Sequence, residues 1–207
     1  DNLTVTGDFA ANNFKFAGTN FTGSLLVGHS TTGTLDAAQY NVGVGLYALD
    51  AITSGDNNVA VGVNAGTAIT SSPSNVAVGR YAGNALATGS GYNTLLGFNA
   101  GYYHSTGAYN VSVGLNAGYG TSGQSGDYNT AVGRDSLKVA YGDYNIGLGN
   151  TAGNNITTGS GNVVVGVADV SSATGDDQLS ISDGEDGSVV WMTGDNAAKL
   201  TFPGALQ

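Results

Sequence analysis

Apolar residues recur along this chain in closely spaced pairs, each pair split by a small residue and closed by glycine. The pattern reads Asn41-Val-Gly-Val-Gly45, Asn58-Val-Ala-Val-Gly62, Asn75-Val-Ala-Val-Gly79 and Asn93-Thr-Leu-Leu-Gly97. It continues as Asn110-Val-Ser-Val-Gly114, Asn129-Thr-Ala-Val-Gly133, Asn145-Ile-Gly-Leu-Gly149 and Asn162-Val-Val-Val-Gly166, with weaker copies at Ser24 and Gln178. Successive starts lie 17, 17, 17, 18, 17, 19, 16, 17 and 16 residues apart, which is the signature of an internal repeat. Alternation with a period of two predicts a short strand in each unit. The apolar second and fourth residues, Val59 and Val61 for example, then share the face expected to form the core, and the small third residue points away. Glycine ends the strand. A further small residue three positions on (Ala48, Ala65, Ala82, Ala100, Ala117, Ser136 or Ala152) and a polar return predict a second short strand and a second turn. One unit is therefore one coil of an all-β parallel β-solenoid, a β-roll of about ten 17-residue coils. At ~4.8 Å per coil the rod is ~45–50 Å long. The leading residues Asn41, Asn58, Asn75, Asn93, Asn110, Asn129, Asn145 and Asn162 are expected to stack as a structural ladder, amide to amide.

Composition sharpens this picture. Glycine supplies 35 of 207 residues and proline 2, without the every-third-residue glycine of collagen. The hydrophobic share of 41% is too high for a disordered linker, and the charged share of 10% is too low for long surface helices. The net charge is −10, and five scattered cations cannot form the basic face that nucleic acid requires. The same shortage argues against docking on anionic membranes, and no window reads as a transmembrane span. With no cysteine there is neither a disulfide framework nor a thiolate metal site. The opening residues read as mid-chain sequence, so a fragment of something longer is expected. The third residue of the unit is small (Gly43, Ala60, Ala77, Ser112, Ala131, Gly147, Ser180) on a face read as external. That combination predicts close approach of other copies, and hence a homotrimer.

The ends depart from the repeat. Residues 1–23 hold Phe9, Phe14, Phe16 and Phe21 and read as an aromatic cap or junction. Residues 24–182 form the repeat domain. Residues 183–207, with Val189, Val190, Trp191, Met192, Leu200 and Phe202, read as a closing hairpin or the start of a following fibre segment.

Candidate chemistry is sparse. His29 and His104 fall in different coils and make no Ser/His/Asp arrangement, so no catalytic residue and no cofactor is expected. Asp176, Asp177, Asp183, Glu185 and Asp186 offer hard oxygen ligands in flexible turns, or simply a solvated acidic surface. Tyr40, Tyr92, Tyr109, Tyr128 and Tyr144 precede the first residue of their units and are expected to stack along one edge. Tyr102, Tyr103, His104 and Tyr119 cluster in adjacent coils and are the candidate ligand-contact patch, because carbohydrate recognition uses flat apolar faces beside hydrogen-bonding groups. A file of Thr53, Thr70, Thr88, Thr157 and Thr174 raises a further possibility, an ice-binding surface.

The Asn-Val-Ala-Val-Gly-x-x-Ala-Gly unit resembles the head repeat of trimeric autotransporter adhesins, a left-handed parallel β-roll. The form with Asn-Thr-Ala-Val-Gly and a Thr-Gly-rich return, at a period near 17, is more similar to repeats of bacteriophage tail fibres. The resemblance covers Ser24 to about Ser182, and it departs from the adhesin heads in coil length. It implies a trimeric rod with an attachment role. The location would be the virion, with a bacterial cell surface as the alternative. The partners would be two further copies, adjacent fibre segments and a host-surface glycan or other receptor.

Overall fold

The computed structural model describes residues 14–18, 20–28, 34–87, 89–123 and 126–203, and no helix occurs among them. Its strands are β1 (Phe14–Gly18), β2 (Phe21–Val27), β3 (Ala38–Gln39), β4 (Val42–Val44), β5 (Val59–Val61), β6 (Val76–Val78) and β7 (Thr94–Leu96). They continue as β8 (Val111–Val113), β9 (Thr130–Val132), β10 (Ile146–Leu148), β11 (Val163–Val165), β12 (Leu179–Ser182), β13 (Val190–Gly194) and β14 (Leu200–Thr201). β2 and β4 to β12 pair in parallel, each with its sequence neighbour, apart from the short β3 beside β2. Register is unshifted, so Val59 faces Val76, Ala60 faces Ala77 and Val61 faces Val78. Ten parallel strands among the described residues bound nine turns of a β-solenoid. The count is one below the number of unit starts because the chain reverses after β12. The outer strands are antiparallel: β1 lies against β2, and β13 against β12 and then β14. Phe9, His29 and Thr88 lie outside the described residues.

Beyond the first coil, which also carries β3, each coil holds one strand of regular pairing, not two. The backbone explains why. The seventh residue of the unit is left-handed (Tyr47, Asn64, Tyr81, Asn99, Asn116, Asp135 and Thr151 have φ of 53–61°), which turns the segment after the strand into a chain of bends. The fifth residue must be glycine for two reasons. At Gly62 the φ is +132°, and an added Cβ would lie 2.6 Å from the Gly79 carbonyl oxygen one coil on. L-residues rarely adopt that conformation, and stacked backbone leaves no room for a side chain.

The strand faces are the reverse of those expected from the apolar pattern. The small third residue points into the coil: Ala60 and Ala77 are fully buried, as are Leu95 and Val164, while the flanking valines face outward. The interior is too narrow for valine pairs from one strand. Third-position residues meet the second small residue of the unit, Ala48, Ala65, Ala82 and Ala100, and the space is filled by Leu49, Ile52, Ile69 and Leu86. A Cβ on Gly66 would sit 3.5 Å from the Ala60 Cβ, which measures how closely the two walls approach. The small size of the third residue therefore reflects a thin core, and it carries no argument for contact between chains.

The asparagine ladder closes the polar side of each coil. The eight Asn are 0–7% exposed. The Oδ1 of each accepts the backbone N–H of the next, at 2.9 Å from Asn58 to Asn41 and 2.8 Å from Asn129 to Asn110. Seven of the eight Nδ2 groups donate across their own coil to a return carbonyl, such as Gly55, Gly126 or Gly159, while Asn75 Nδ2 donates to Asn58 Oδ1 and the Pro73 carbonyl. Ser24 Oγ begins the series, and Gln178 ends it with both backbone and side-chain nitrogens on Asn162 Oδ1. The weaker copies at Ser24 and Gln178 are thus the two terminal rungs.

Candidate functional site

Three surface features stand out from this scaffold. The first follows from the reversed faces. Second and fourth residues point away from the coil, and Val42, Val44, Val78, Val111, Ile146 and Leu148 each keep 36–39% of their surface. The next outward residue adds Leu46, Phe98 and Leu115. Register carries this apolar face from Leu25 and Val27 at β2 to Leu179 and Ile181 at β12, and on to Met192 opposite Ile181. Exposed apolar residues thus recur at the same places from coil to coil, and a contiguous exposed patch beyond the ~300–600 Å² normal for a monomer marks an interaction surface.

The second feature is a tyrosine ladder. Tyr92, Tyr109, Tyr128 and Tyr144 stack with ring centroids 4.8–5.0 Å apart and planes within 1° of parallel. Each occupies the left-handed residue before a ladder asparagine, with φ of 59–61°. The stacking follows from the ~4.8 Å spacing of strands. Tyr40 is at the same place in its coil, but Asn57 and Ser74 separate it from the other four.

The third is an aromatic cluster spanning three coils. Tyr102 stacks on Tyr119 at 5.3 Å, and Tyr103 meets both rings edge-on at 4.6 and 5.3 Å. Tyr81 joins Tyr102 and Phe98, and the Arg80 guanidinium lies 4.7 Å from the Tyr81 centroid. The Arg80 hydrogen bond and charge hold the Tyr81 hydroxyl below the usual phenol range, while burial beside Tyr103 and Tyr102 raises Tyr119. Tyr81, Phe98 and Arg80 were not visible as members from sequence. They sit at the sixth and seventh places of their units, whereas Tyr102 and Tyr119 share the tenth place. The structure brings Tyr102, Tyr103 and Tyr119 together but puts His104 elsewhere. Its ring is 3% exposed, inside the coil, with the Gly118 carbonyl beside it and Nδ1 without a partner. A surface ligand cannot reach it, so His104 is corrected to an interior residue.

The acidic turns are committed to the backbone. Asp183 accepts N–H groups from Val189 at 2.7 Å, Gly187 at 2.8 Å, Asp186 at 3.1 Å and Glu185 at 3.2 Å, and these bonds hold its carboxyl below the usual range. No group of three His, Cys, Asp or Glu suited to a metal ion occurs among the described residues. Thr53 and Thr157 in the threonine file donate their hydroxyls to the Thr70 and Ala173 carbonyls of the next coil, so these two are spent on the rod itself. Comparison of the chain with protein-family models, with curated proteins and with solved structures finds no match.

Proposed function

We propose that this chain is a segment of a non-catalytic, homotrimeric attachment rod, most similar in role to a phage tail fibre, that carries a receptor contact for host-cell recognition. The exposed apolar strip supports this reading. A single chain leaves Val42, Val44, Val111, Ile146 and Leu148 in water along the whole stack. Three parallel rods meeting on that face would bury it, with a regular ~4.8 Å repeat in each rod allowing the same contact at every coil. Three chains also present three copies of the Tyr102, Tyr103 and Tyr119 cluster, so weak individual contacts add through effective concentration. The bacterial surface adhesin head shares the same architecture and remains the alternative location.

Sedimentation equilibrium of the purified chain tests the assembly. The expected mass is three times 20.5 kDa. A stable monomer overturns the rod. Binding of the labelled trimer to bacterial cells, with Tyr102→Ala and Tyr103→Ala beside the native chain, tests the attachment role. Native-level binding by both variants removes the receptor contact from this cluster.

A further inference from the structure

Charge is distributed unevenly along the rod. The chain carries −10, yet residues 57–126 contain no Asp, Glu or Lys, and their one Arg is Arg80. The aromatic cluster of Tyr81, Phe98, Tyr102, Tyr103 and Tyr119 lies within that stretch. The first carboxylate after it is Asp127, whose Oδ1 is spent on the Ala108 N–H at 2.8 Å. An anion repelled by most of this chain would therefore find a single cation here, beside the aromatic rings.

Arg80 and Arg134 hold the same sixth place in their units, which isolates what is particular to Arg80. Arg134 Nε donates to Asn150 Oδ1 at 3.0 Å and lies 3.5 Å from the Asp135 carboxylate, which also takes Lys138 at 2.9 Å. Arg80 is exposed and has no carboxylate partner among the described residues. It donates one N–H to the Tyr81 hydroxyl at 3.2 Å, and its guanidinium lies 4.7 Å from the Tyr81 centroid and 5.9 Å from that of Phe98. The Tyr81 hydroxyl also bonds to the Asn64 side chain, and the Tyr81 ring meets Tyr102 at 5.9 Å. The guanidinium is thus held against the cluster, with its remaining N–H donors unused.

The ligand's chemistry follows from this pairing. The planar fork of a guanidinium matches a carboxylate or phosphate with two parallel hydrogen bonds. The neighbouring rings offer apolar surface to the body that carries the anion, as they would to a pyranose. A neutral sugar seated there would take water from the guanidinium without replacing its hydrogen bonds. Nucleic acid would meet one cation where it needs several. We infer that the Arg80 end of the tyrosine cluster binds an acidic sugar, whose carboxylate or phosphate pairs with Arg80 while its ring packs on the adjacent tyrosines; the inference deepens the attachment reading and rests on it.

Surface plasmon resonance of the intact chain over immobilised polygalacturonate, polysialate and phosphorylated dextran tests this, beside plain dextran and a carboxylated surface without sugar. At least one acidic glycan is expected to bind roughly tenfold or more tighter than both comparison surfaces, and the preferred surface tells carboxylate from phosphate. Arg80→Gln should lose that margin at an unchanged melting temperature. Arg80→Lys, which keeps the charge without the fork, should recover only part of it, and Arg134→Gln should bind as the native chain does. Binding should weaken as salt is raised, as for any exposed charge pair. Equal binding to plain dextran or to the sugar-free surface, native binding by Arg80→Gln, or no binding to any acidic glycan overturns the site. Bacterial cell binding that is lost in Tyr102→Ala but native in Arg80→Gln overturns the acidic ligand and keeps the attachment reading. Arg80-dependent glycan binding by a chain that binds no cell keeps the site and overturns the attachment role.

Discussion

His104 occupies the twelfth place of its coil, where Ile52, Ile69, Leu86 and Ile156 fill the interior of others. Thr121 stands at the same place one coil on, and its Oγ1 also lacks a partner. Between these coils the apolar core divides: one cluster reaches Ala100 and the next begins at Ala117. Burial pushes the His104 ring down to about 4, partly opposed by its bond to the Gly118 carbonyl. Gly101 and Gly120 also lie close to the ring, and neither carries a charge that could stabilise imidazolium. The unfolded chain titrates near 6.5, so it binds more protons than the folded rod between about 6.5 and 4. Stability is therefore expected to fall as the pH drops through that window, by roughly 3 kcal/mol at the bottom of it. Melting curves at pH 4, 5 and 7 check the slope, and His104→Leu should flatten it and raise the melting temperature at every pH. An equal slope in the variant removes His104 as its source. Gly62→Ala makes the opposite point about the backbone. The strained φ alone costs roughly 1–3 kcal/mol, and the Gly79 carbonyl blocks the added methyl. Chemical denaturation should show a loss above that range.

At the scale of the strand and its return, the asparagine ladder carries both walls of the coil. Asn110 accepts the Asn129 N–H at 2.8 Å and donates to the Gly126 carbonyl at 2.9 Å. Asn110→Leu keeps the volume but leaves that N–H and that carbonyl unpaired inside the rod. Each buried orphan costs about 1–3 kcal/mol. Denaturant titration should show a loss of that order per orphan, and amide exchange should quicken at Asn129 before it quickens at Asn58. An unchanged midpoint would mean that water replaces the ladder. Asn110→Asp is the useful comparison, since it retains the acceptor but sets a buried carboxylate in place of the donor that faces the Gly126 carbonyl.

At the scale of the whole molecule, the two strand faces predict opposite outcomes for charge insertion. Ala77 lies against the narrow interior, and Ala77→Glu buries a carboxylate without a partner; circular dichroism should report an unfolded or aggregated chain. Val78 lies on the outward side of the same strand and keeps 36% of its surface. Val78→Lys combined with Val111→Lys should leave the β-sheet signal intact and, on the proposed trimeric reading, leave a monomer in sedimentation. A folded Ala77→Glu chain, or a Val78→Lys and Val111→Lys chain that remains trimeric, would contradict the assignment of faces or of the interface respectively.

Periodicity, parallel in-register stacking and the place of every ladder asparagine were legible in the residues alone. Each is written in one coil and repeated at a spacing of 16–19 residues, so a local pattern is also the long-range one. The glycine that ends each strand was equally plain, since a position that excludes a Cβ admits little else. Tertiary structure alone decided which way each strand faces. A strand of three residues presents one residue on one side and two on the other, and hydrophobicity favours the pair as core. The closeness of the opposite wall, set by Ala65 and Ala82, admits only Ala, Gly or Ser from most strands and turns the valines outward. The interior place of His104 and the joining of Arg80 and Phe98 to the tyrosine cluster were hidden for a related reason. Each depends on how far one coil or hairpin is displaced from the next, and composition and spacing carry no record of that distance.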